Sequence, residues 1–595
     1  MASEHHEVIL IGAGYGGLAA AKTYLAVRPS IDLLVIDREA GVGGVWAKNR
    51  IYEGLRYEWP TPGANFSDFD MRKQFGMETW EHISGTRMNE YLVRYAERFN
   101  IIEKCRFNVN VLDIERDGAQ WKIIVRTTSS PSPKSLICDK LIVATGMNSK
   151  PKTPELDLSK FDGFSFHSID MASQYERMIA SEVKHVTVVG GHKTALETVG
   201  LAARAGKKVE WLIREEGGGT PWMMQATNPD GSFALKPVMI RCFSKFGTSV
   251  YKSDQWLNRF FHSGQWALGT WFINWFWKMG TNRVLGDRFK SENGAKLKPK
   301  SPSSFWLNPG GTILQEQDLE VLRMIDENQL INVKIAHITQ AHGNGVLLNT
   351  GEKFETDGIV FCTGWDLSAP PLFSDKLTSD LGLPTPLQSL SAEEIKYWDN
   401  LDQPAEDKLV KLYAFLEQPP PSIFVPISTL SPFRLYRQMV PPKLAACDDN
   451  SLIFLTNYST GQVPRTSEIY ALWAVAYLEN LLPDDTKDIL SDKHQMDCDI
   501  ALNEAYRKKR FLNAHPVRLS VAETSEHDEN VLRDLGLRND RKRMRMPTGW
   551  KGWFGLKAWW AEWFEPYFPE EYDGIVDEFL EQVARRSEQA GSQKN

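Results

Sequence analysis

The chain alternates short, mostly apolar runs with longer stretches of helical periodicity. That is the pattern of buried parallel strands joined by crossover helices. Residues 8–11, 32–36, 186–189 and 208–213 are such runs, and the first and third each open into a glycine turn and a helix. Two further runs, 139–146 and 357–364, echo one another. Both start on an Asp (Asp139, Asp357) and end on Thr-Gly (Thr145-Gly146, Thr363-Gly364) at the same spacing. Each reads as a strand returning the chain to a ligand site, with a glycine where it turns away. Between about 217 and 310 the pattern gives way to crowded aromatics, among them Trp256, Trp266, Trp271 and Trp275. Residues 267–277 are apolar nearly all round, which predicts a buried helix. They are too few to span a bilayer, which takes about 20 apolar residues. This insert suits a packed cap, a subunit contact in a homodimer, or a hydrophobic lid over an organic substrate.

The glycine turns carry the chemistry. In the first, Gly12 permits the tight turn, Gly14 lets backbone approach a pyrophosphate, and Gly17 lets the helix pack on the strand. Amides and dipole at that helix start favour a diphosphate. The strand at 32–36 ends in Asp37, with Arg38 beside it, 20 residues past Gly17. An acid there suits ribose hydroxyls. The second turn has Gly190, Lys193, Thr194 and Ala195, with His192 where a second glycine is expected. The His192 side chain hinders close backbone approach, points outward, or donates to phosphate. The strand at 208–213 ends in Arg214, a cation where the first unit has an acid. A guanidinium binds a 2′-phosphate bidentately and an acid repels it, so the second site reads as NADPH rather than NADH. Two dinucleotide sites in one chain imply a flavin and a nicotinamide exchanging electrons.

The expected fold is therefore α/β, with two Rossmann-like dinucleotide-binding domains. The NADPH domain (156–355) is inserted in a discontinuous FAD domain (1–155 and 356–482). To these are added the mainly helical, aromatic-rich insertion at about 217–310 and a C-terminal extension (483–595) wrapping the catalytic body.

Gly43-Gly44-Val45-Trp46 resembles the GGxW segment beside the flavin in flavin-containing and Baeyer–Villiger monooxygenases. Phe161, Gly163 and His167 resemble the FxGxxxHxxx[YFW] fingerprint of class B flavoprotein monooxygenases, with Met171 replacing the terminal aromatic. Tyr52-Glu-Gly54-Leu55, Phe66-Ser-Asp68-Phe-Asp-Met71 and the stretch from Pro464 to Trp473 are similar to further segments of that family. The resemblance covers most of 7–215 and 350–480. It implies FAD held by Gly12, Gly14, Gly17, Asp37, Arg38, Gly44, Val45, Trp46, Thr145 and Gly146. It implies NADPH held by Gly190, Lys193, Thr194, Arg214, Thr363 and Gly364. It implies hydride transfer from NADPH to FAD, then a peroxyflavin formed from O2 and shielded by NADP⁺. The cofactors carry the chemistry, so no catalytic triad is needed. The product is either a Baeyer–Villiger oxidation of a ketone or an oxygenated nitrogen or sulfur in a hydrophobic small molecule, in keeping with specialised metabolism. Glu58 falls where Baeyer–Villiger enzymes carry Asp. It is either a catalytic acid supporting a cation at the flavin or a salt-bridged structural one. The stretch expected to supply an Arg reads Lys298-Pro-Lys300-Ser-Pro302. Two alternatives stay open: an NADPH oxidase or reductase that releases hydrogen peroxide, and a non-catalytic flavin-binding protein with His192 blocking the second site.

Composition narrows the field further. The 595 residues hold two or three domains, and a net charge of −7 gives no nucleic-acid footprint. Six scattered cysteines with no CxxC pair argue against a disulfide reductase on the same plan, and for a reducing compartment. The first strand is expected near Glu7, which leaves no room for a signal peptide and suggests a cytoplasmic protein. Metal-ligand clusters with convincing spacing are not seen. The basic run Arg538, Arg541, Lys542, Arg543, Arg545 precedes Trp550, Trp553, Trp559 and Trp560. It suits a peripheral membrane contact, or an arm wrapping the body with solvated cations, which is the reading favoured. Residues 127–135 read as a hairpin loop and 587–595 as a frayed tail.

Overall fold

The computed structural model describes residues 4–128, 130–228, 230–251, 255–286, 288–306, 311–366, 372–455, 458–459, 462–512, 519–520, 524–544 and 553–593. The chain opens with β1 (Glu4–Ile11), α1 (Tyr15–Val27) and β2 (Leu33–Ile36). A short β3 (Cys105–Arg106) follows, and then a meander of β4 (Val109–Asp117), β5 (Gln120–Thr127) and β6 (Ser130–Val143). The strands lie in the order β3-β2-β1-β6-β5-β4. The parallel part centres on β1, whose Val8–Ile11 stretch pairs with Leu33–Ile36 on one side and with residues 140–143 on the other. Apart from Lys140, those positions are buried on both faces, as their apolar character requires.

The second sheet is wholly parallel. It uses β7 (Phe164–His167), β8 (His185–Val189), α2 (Lys193–Arg204) and β9 (Lys208–Ile213). The chain then leaves through β10 (Met223–Gln225), α3 (Trp256–His262) and α4 (Ala267–Leu285). It returns by β11 (Thr312–Leu314), α5 (Glu316–Asp326) and β12 (Ile331–Ile335). An antiparallel excursion of β13 (Ile338–His342), β14 (Gly345–Leu348) and β15 (Lys353–Glu355) leads into β16 (Gly358–Phe361). The order is β12-β9-β8-β16-β7. After α6 (Ala392–Leu412) the chain rejoins the first sheet. There β17 (Leu452–Phe454) pairs in parallel with Leu141–Val143 of β6. Two Rossmann-like sheets, the second threaded through the first, form the frame.

Helix α7 (Val463–Leu478) is buried from Pro464 onward and packs on α1. From Ile469 onward its sequence is apolar on every side, so it needs cover all round. Helix α8 (Lys493–Arg510) packs on α6, and α9 (Thr524–Asp534) packs on α7; α10 (Trp553–Phe564) and α11 (Ile575–Gln593) end the chain. Asp528 of α9 forms an ion pair of 2.7 Å with Arg465 of α7, both side chains being fully buried. Arg437 sits between Asp499 (2.8 Å) and Asp534 (2.7 Å). Tyr251 of the insert stacks on His527, with ring centroids 5.6 Å apart. Arg538, Arg541 and Lys542 are engaged by Asp540, Glu578 and Glu571 within the extension itself. Arg545 and Trp550 lie outside the described residues.

Three local expectations are corrected. Helix α4 is not buried all round: it docks through Phe272, Phe276 and Trp277. Leu268, Trp271, Trp275 and Met279 face outward. Apolar character on all sides cannot say which side meets the body, and the insert covers only one. The hairpin at 127–135 is tighter than a loop, because β6 resumes at Ser130 opposite Thr127. The final helix continues to Gln593 rather than fraying from Ser587. Among the described residues, no helix is long and apolar enough to cross a membrane.

Candidate functional site: two glycine cradles facing one junction

The two glycine turns are built alike, down to the strand that closes each. Gly12 has φ +109° and its amide donates to Ile36 O at 2.8 Å; a Cβ there would overlap the carbonyl oxygen of Ala144, just before Thr145. Gly190 has φ +141° and its amide donates to Leu212 O at 3.0 Å; a Cβ there would overlap the carbonyl oxygen of Cys362, just before Thr363. Both positions require glycine for conformation and for room. The echoed Thr-Gly strands are thus the back walls of the two cradles. Helices α1 and α2 start from these turns and aim their free amides across them.

In the first cradle, Gly43 donates to Ala13 O at 2.9 Å, which brings Gly44 against Gly14. Asp37 is buried; its Oδ2 accepts from Ala13 N at 2.6 Å and its Oδ1 from Glu39 N at 2.8 Å. Burial pushes its pKa up, against those two amide hydrogen bonds. The acid therefore also braces the loop, and its remaining lone pairs are what a ribose would use. Arg38 Nη1 donates to Ser149 O at 3.2 Å. Trp46 packs on Tyr57 (5.4 Å) and its carbonyl accepts from Asn89, while Val45 is exposed at the rim.

In the second cradle, Lys193 stands 3.5 Å from Glu197, one turn along α2, and Thr194 opens the same helix. Burial works against the Lys193 charge, yet the carboxylates of Glu197, Glu58 and Asp318 hold its pKa above the ordinary lysine value. Burial raises Glu197 in turn, opposed by Lys193. Arg214 follows β9 directly; it is exposed, folds over Gly217, and makes no ion pair among the described residues. His192 caps α2 in an extended conformation (φ −103°, ψ −174°). It lines a small cleft with Thr220, Trp222, Lys300 and Trp306. Trp222 is buried and its indole N–H has no partner among the described residues. Lys300 Nζ donates to Gly217 O at 3.2 Å and to Glu215 O, so it pins the loop after Arg214.

The two back walls meet. His167 Nε2 lies 3.0 Å from Gly364 O, its ring lies 5.4 Å from that of Trp365, and Lys152 N donates to Gly364 O at 3.0 Å. Burial keeps the His167 pKa low, against the pull of the Gly364 carbonyl. Across the junction, Glu58 Oε1 accepts from Ile313 N at 2.8 Å. Arg56 pairs with Asp318 at 3.1 Å and with Gln315 at 2.8 Å. Glu58 thus holds backbone rather than an arginine.

A family model described as pyridine nucleotide-disulphide oxidoreductase matches residues 9–250. The six cysteines are all free, so the match concerns the dinucleotide plan. An FAD-dependent monooxygenase of Aspergillus sclerotiorum is 29% identical over 598 residues, covering 97% of this chain and 98% of the relative. One of Pyrenophora dematioidea is 28% identical, covering 90% and 99%. Among solved structures, the closed form of cyclohexanone monooxygenase aligns with TM-score 0.54 at 15% identity, covering 90% of this chain and 99% of that one. OTEMO in complex with FAD and NADP aligns with TM-score 0.54, covering 89% and 98%. Over nearly its whole length the chain is similar to FAD-dependent monooxygenases.

The first cradle of this monooxygenase fits FAD: a glycine turn closed by a carbonyl, an acid at the end of β2, and a free helix N-terminus. The structure places the sequence-derived residues Gly12, Gly14, Asp37 and Gly44 around the first turn, and Gly190, Lys193, Thr194 and Arg214 around the second. Sequence reasoning missed Glu197 and Asp318, and it left Arg56 without an orientation. The Glu197 spacing from Lys193 on one helix was a usable signal. Asp318 carried none, since it meets Arg56 only through the return of the chain by β11 and α5.

Proposed function

We propose that this monooxygenase uses NADPH in the second cradle to reduce FAD in the first and inserts one oxygen atom of O2 into a hydrophobic small molecule. The observation that carries the reading is the contrast at the two strand ends. Asp37 is buried and hydrogen-bonded where a ribose is expected, and Arg214 is a guanidinium with no ion pair among the described residues where a 2′-phosphate is expected. When bound, NADPH supplies a hydride and FAD supplies the redox and oxygen chemistry. The chain supplies the rest. The starts of α1 and α2 hold the diphosphates, and Lys193 adds a cation that Glu58 and Glu197 keep charged. His167 fixes the junction through the Gly364 carbonyl. Trp222 and Trp306 wall the cleft beside His192. Glu58 acts as a positioning residue through Lys193.

The named monooxygenase relatives support oxygen insertion over simple peroxide release. Anaerobic mixing with NADPH should bleach the flavin, and NADH should do so far more slowly. Reduced protein mixed with oxygen, with and without NADP⁺, should then be followed by product mass analysis on a panel of amines, sulfides and ketones. A product heavier by one oxygen atom on any of them supports the reading. Stoichiometric peroxide with every compound would leave an NADPH oxidase, and a flavin that never bleaches would leave a binding protein.

A further inference from the structure

The outer face of the insert carries large apolar side chains that no other described residue covers. On α4 the stripe is Leu268, Trp271, Trp275 and Met279, with Leu268 68% and Trp271 62% exposed. Trp256 of α3 is 65% exposed, stacks on Phe260 and leads to Trp266. The opposite side of α4 is firmly anchored. Trp277 donates to Phe246 O at 2.9 Å, and Thr281 meets Ser304 at 3.1 Å. The exposed stripe is thus a fixed surface. A monomeric protein rarely leaves a contiguous face of this kind to water unless it binds something.

A second such face adjoins it. Leu556, Trp559, Trp560 and Phe564 of α10 are exposed, with Trp560 stacked on Phe564 at 4.4 Å. The short helix Arg241–Ser244 ties the two together, since Arg241 pairs with Glu562 of α10 and Phe243 packs on Phe276 of α4.

Charge identifies the occupant. Neither α3 nor α4 contains an acidic residue, and the one acid within α10, Glu562, is buried against Arg241. Arg259, Lys278 and Lys557 are exposed and form no ion pair among the described residues. Indole rings with nearby cations, on helices whose only carboxylate is buried and with Glu565 alone exposed at the end of α10, match the interfacial zone of an anionic bilayer. There rings sit at headgroup depth and each cation gains from lipid phosphate or carboxylate. We propose that the α3–α4 face, extended by α10, docks the protein on an anionic lipid surface without crossing it. The basic run 538–542 takes no part, because its side chains are spent on Asp540, Glu578 and Glu571.

The test uses the full-length, flavin-loaded protein. It is sedimented with vesicles of phosphatidylcholine alone, and of phosphatidylcholine mixed with phosphatidylserine. Wild type should partition onto the anionic vesicles, with a blue shift of tryptophan emission. Trp271→Ser combined with Trp275→Ser should lower that partition about tenfold or more, and Arg259→Glu with Lys278→Glu should do the same. Flavin content and melting temperature should be unchanged in both. The charge variant also keeps the test decisive should the tryptophan variant fold poorly. Wild type remaining in the supernatant with both vesicle types overturns the proposal. So does equal binding to neutral vesicles that ignores the charge variant. A wild-type dimer that Trp271→Ser and Trp275→Ser dissolve, with no vesicle binding, overturns it in favour of a contact between copies.

Discussion

At the scale of single residues, the cradles turn on two glycines and one guanidinium. Among the described residues Arg214 has no carboxylate partner to give up, so a 2′-phosphate would meet its full charge. Arg214→Ala should weaken NADPH by roughly 1.5–3 kcal/mol, the range for a charged hydrogen bond, or about ten- to a hundredfold. NADH use should barely change. Steady-state KM values for the two reductants measure this, and equal losses for both would show that Arg214 does not read the phosphate. Gly190→Ala should be more severe. The added methyl meets the Cys362 carbonyl at a φ of +141°, so the second turn must distort. Flavin content should survive while the rate of flavin bleaching by NADPH falls about a hundredfold or more, since correct placement alone is worth that much. Loss of flavin as well would mean the two cradles do not fold independently. These residues were legible in the sequence because turn geometry is local. Asp37 was found by counting from Gly17, and Arg214 as the residue that ends the strand after the second turn. Arg56 and Asp318, separated by the whole insert, left no such trace.

At the scale of elements, the strands that flank each glycine turn and the one that closes it were legible, because an unbroken apolar run has only one comfortable place, buried between two layers; β4, β5, β7 and β12 were not read from the sequence. Helix α4 was misjudged for the opposite reason. Its apolar surface wraps the whole helix, while the fold offers cover to one side. The attachment of α9 to α7 was invisible as well, since Asp528 and Arg465 carry no pattern that pairs them. That attachment rests on a fully buried ion pair, which is costly to break from one side because the remaining charge stays desolvated. Asp528→Ala should destabilise the extension by about 3–5 kcal/mol. Urea denaturation followed by tryptophan emission should show α9 and its neighbours melting ahead of the flavin domain. The double variant Arg465→Met, Asp528→Leu should recover most of the loss. Recovery would separate the charge penalty from simple loss of packing.

At the scale of the whole molecule, the insert and the C-terminal extension share buried ionisable groups whose protons link their stability to pH. Burial lowers His527 to about 3, with Arg437 adding to it, and lowers His262 to about 4. Both histidines bind a proton in the unfolded chain below about 6.5 that the folded protein refuses, so each destabilises the fold as pH falls from there. Asp528 runs the other way. Burial raises it to about 6, against Arg465, so between that pH and its ordinary 3.8 the folded protein holds a proton the unfolded chain has lost. Its contribution therefore grows as pH falls through the same window. From pH 6 to 4 the two histidines outweigh the one aspartate by about one proton. The three groups together should cost roughly 1.4 kcal/mol of stability for each pH unit of acidification. His527→Gln keeps a partner for Tyr470 and removes one of the two basic sites. Its urea midpoint should be lower than wild type near pH 7, where the packed imidazole is neutral and fits, yet fall much less steeply toward pH 4. Parallel pH profiles for wild type and His527→Gln would mean that the imidazole is already open to protonation in the folded state. The close packing of α9 between α7 and Tyr251 of the insert, on which the acid sensitivity of this half of the molecule rests, would then be wrong.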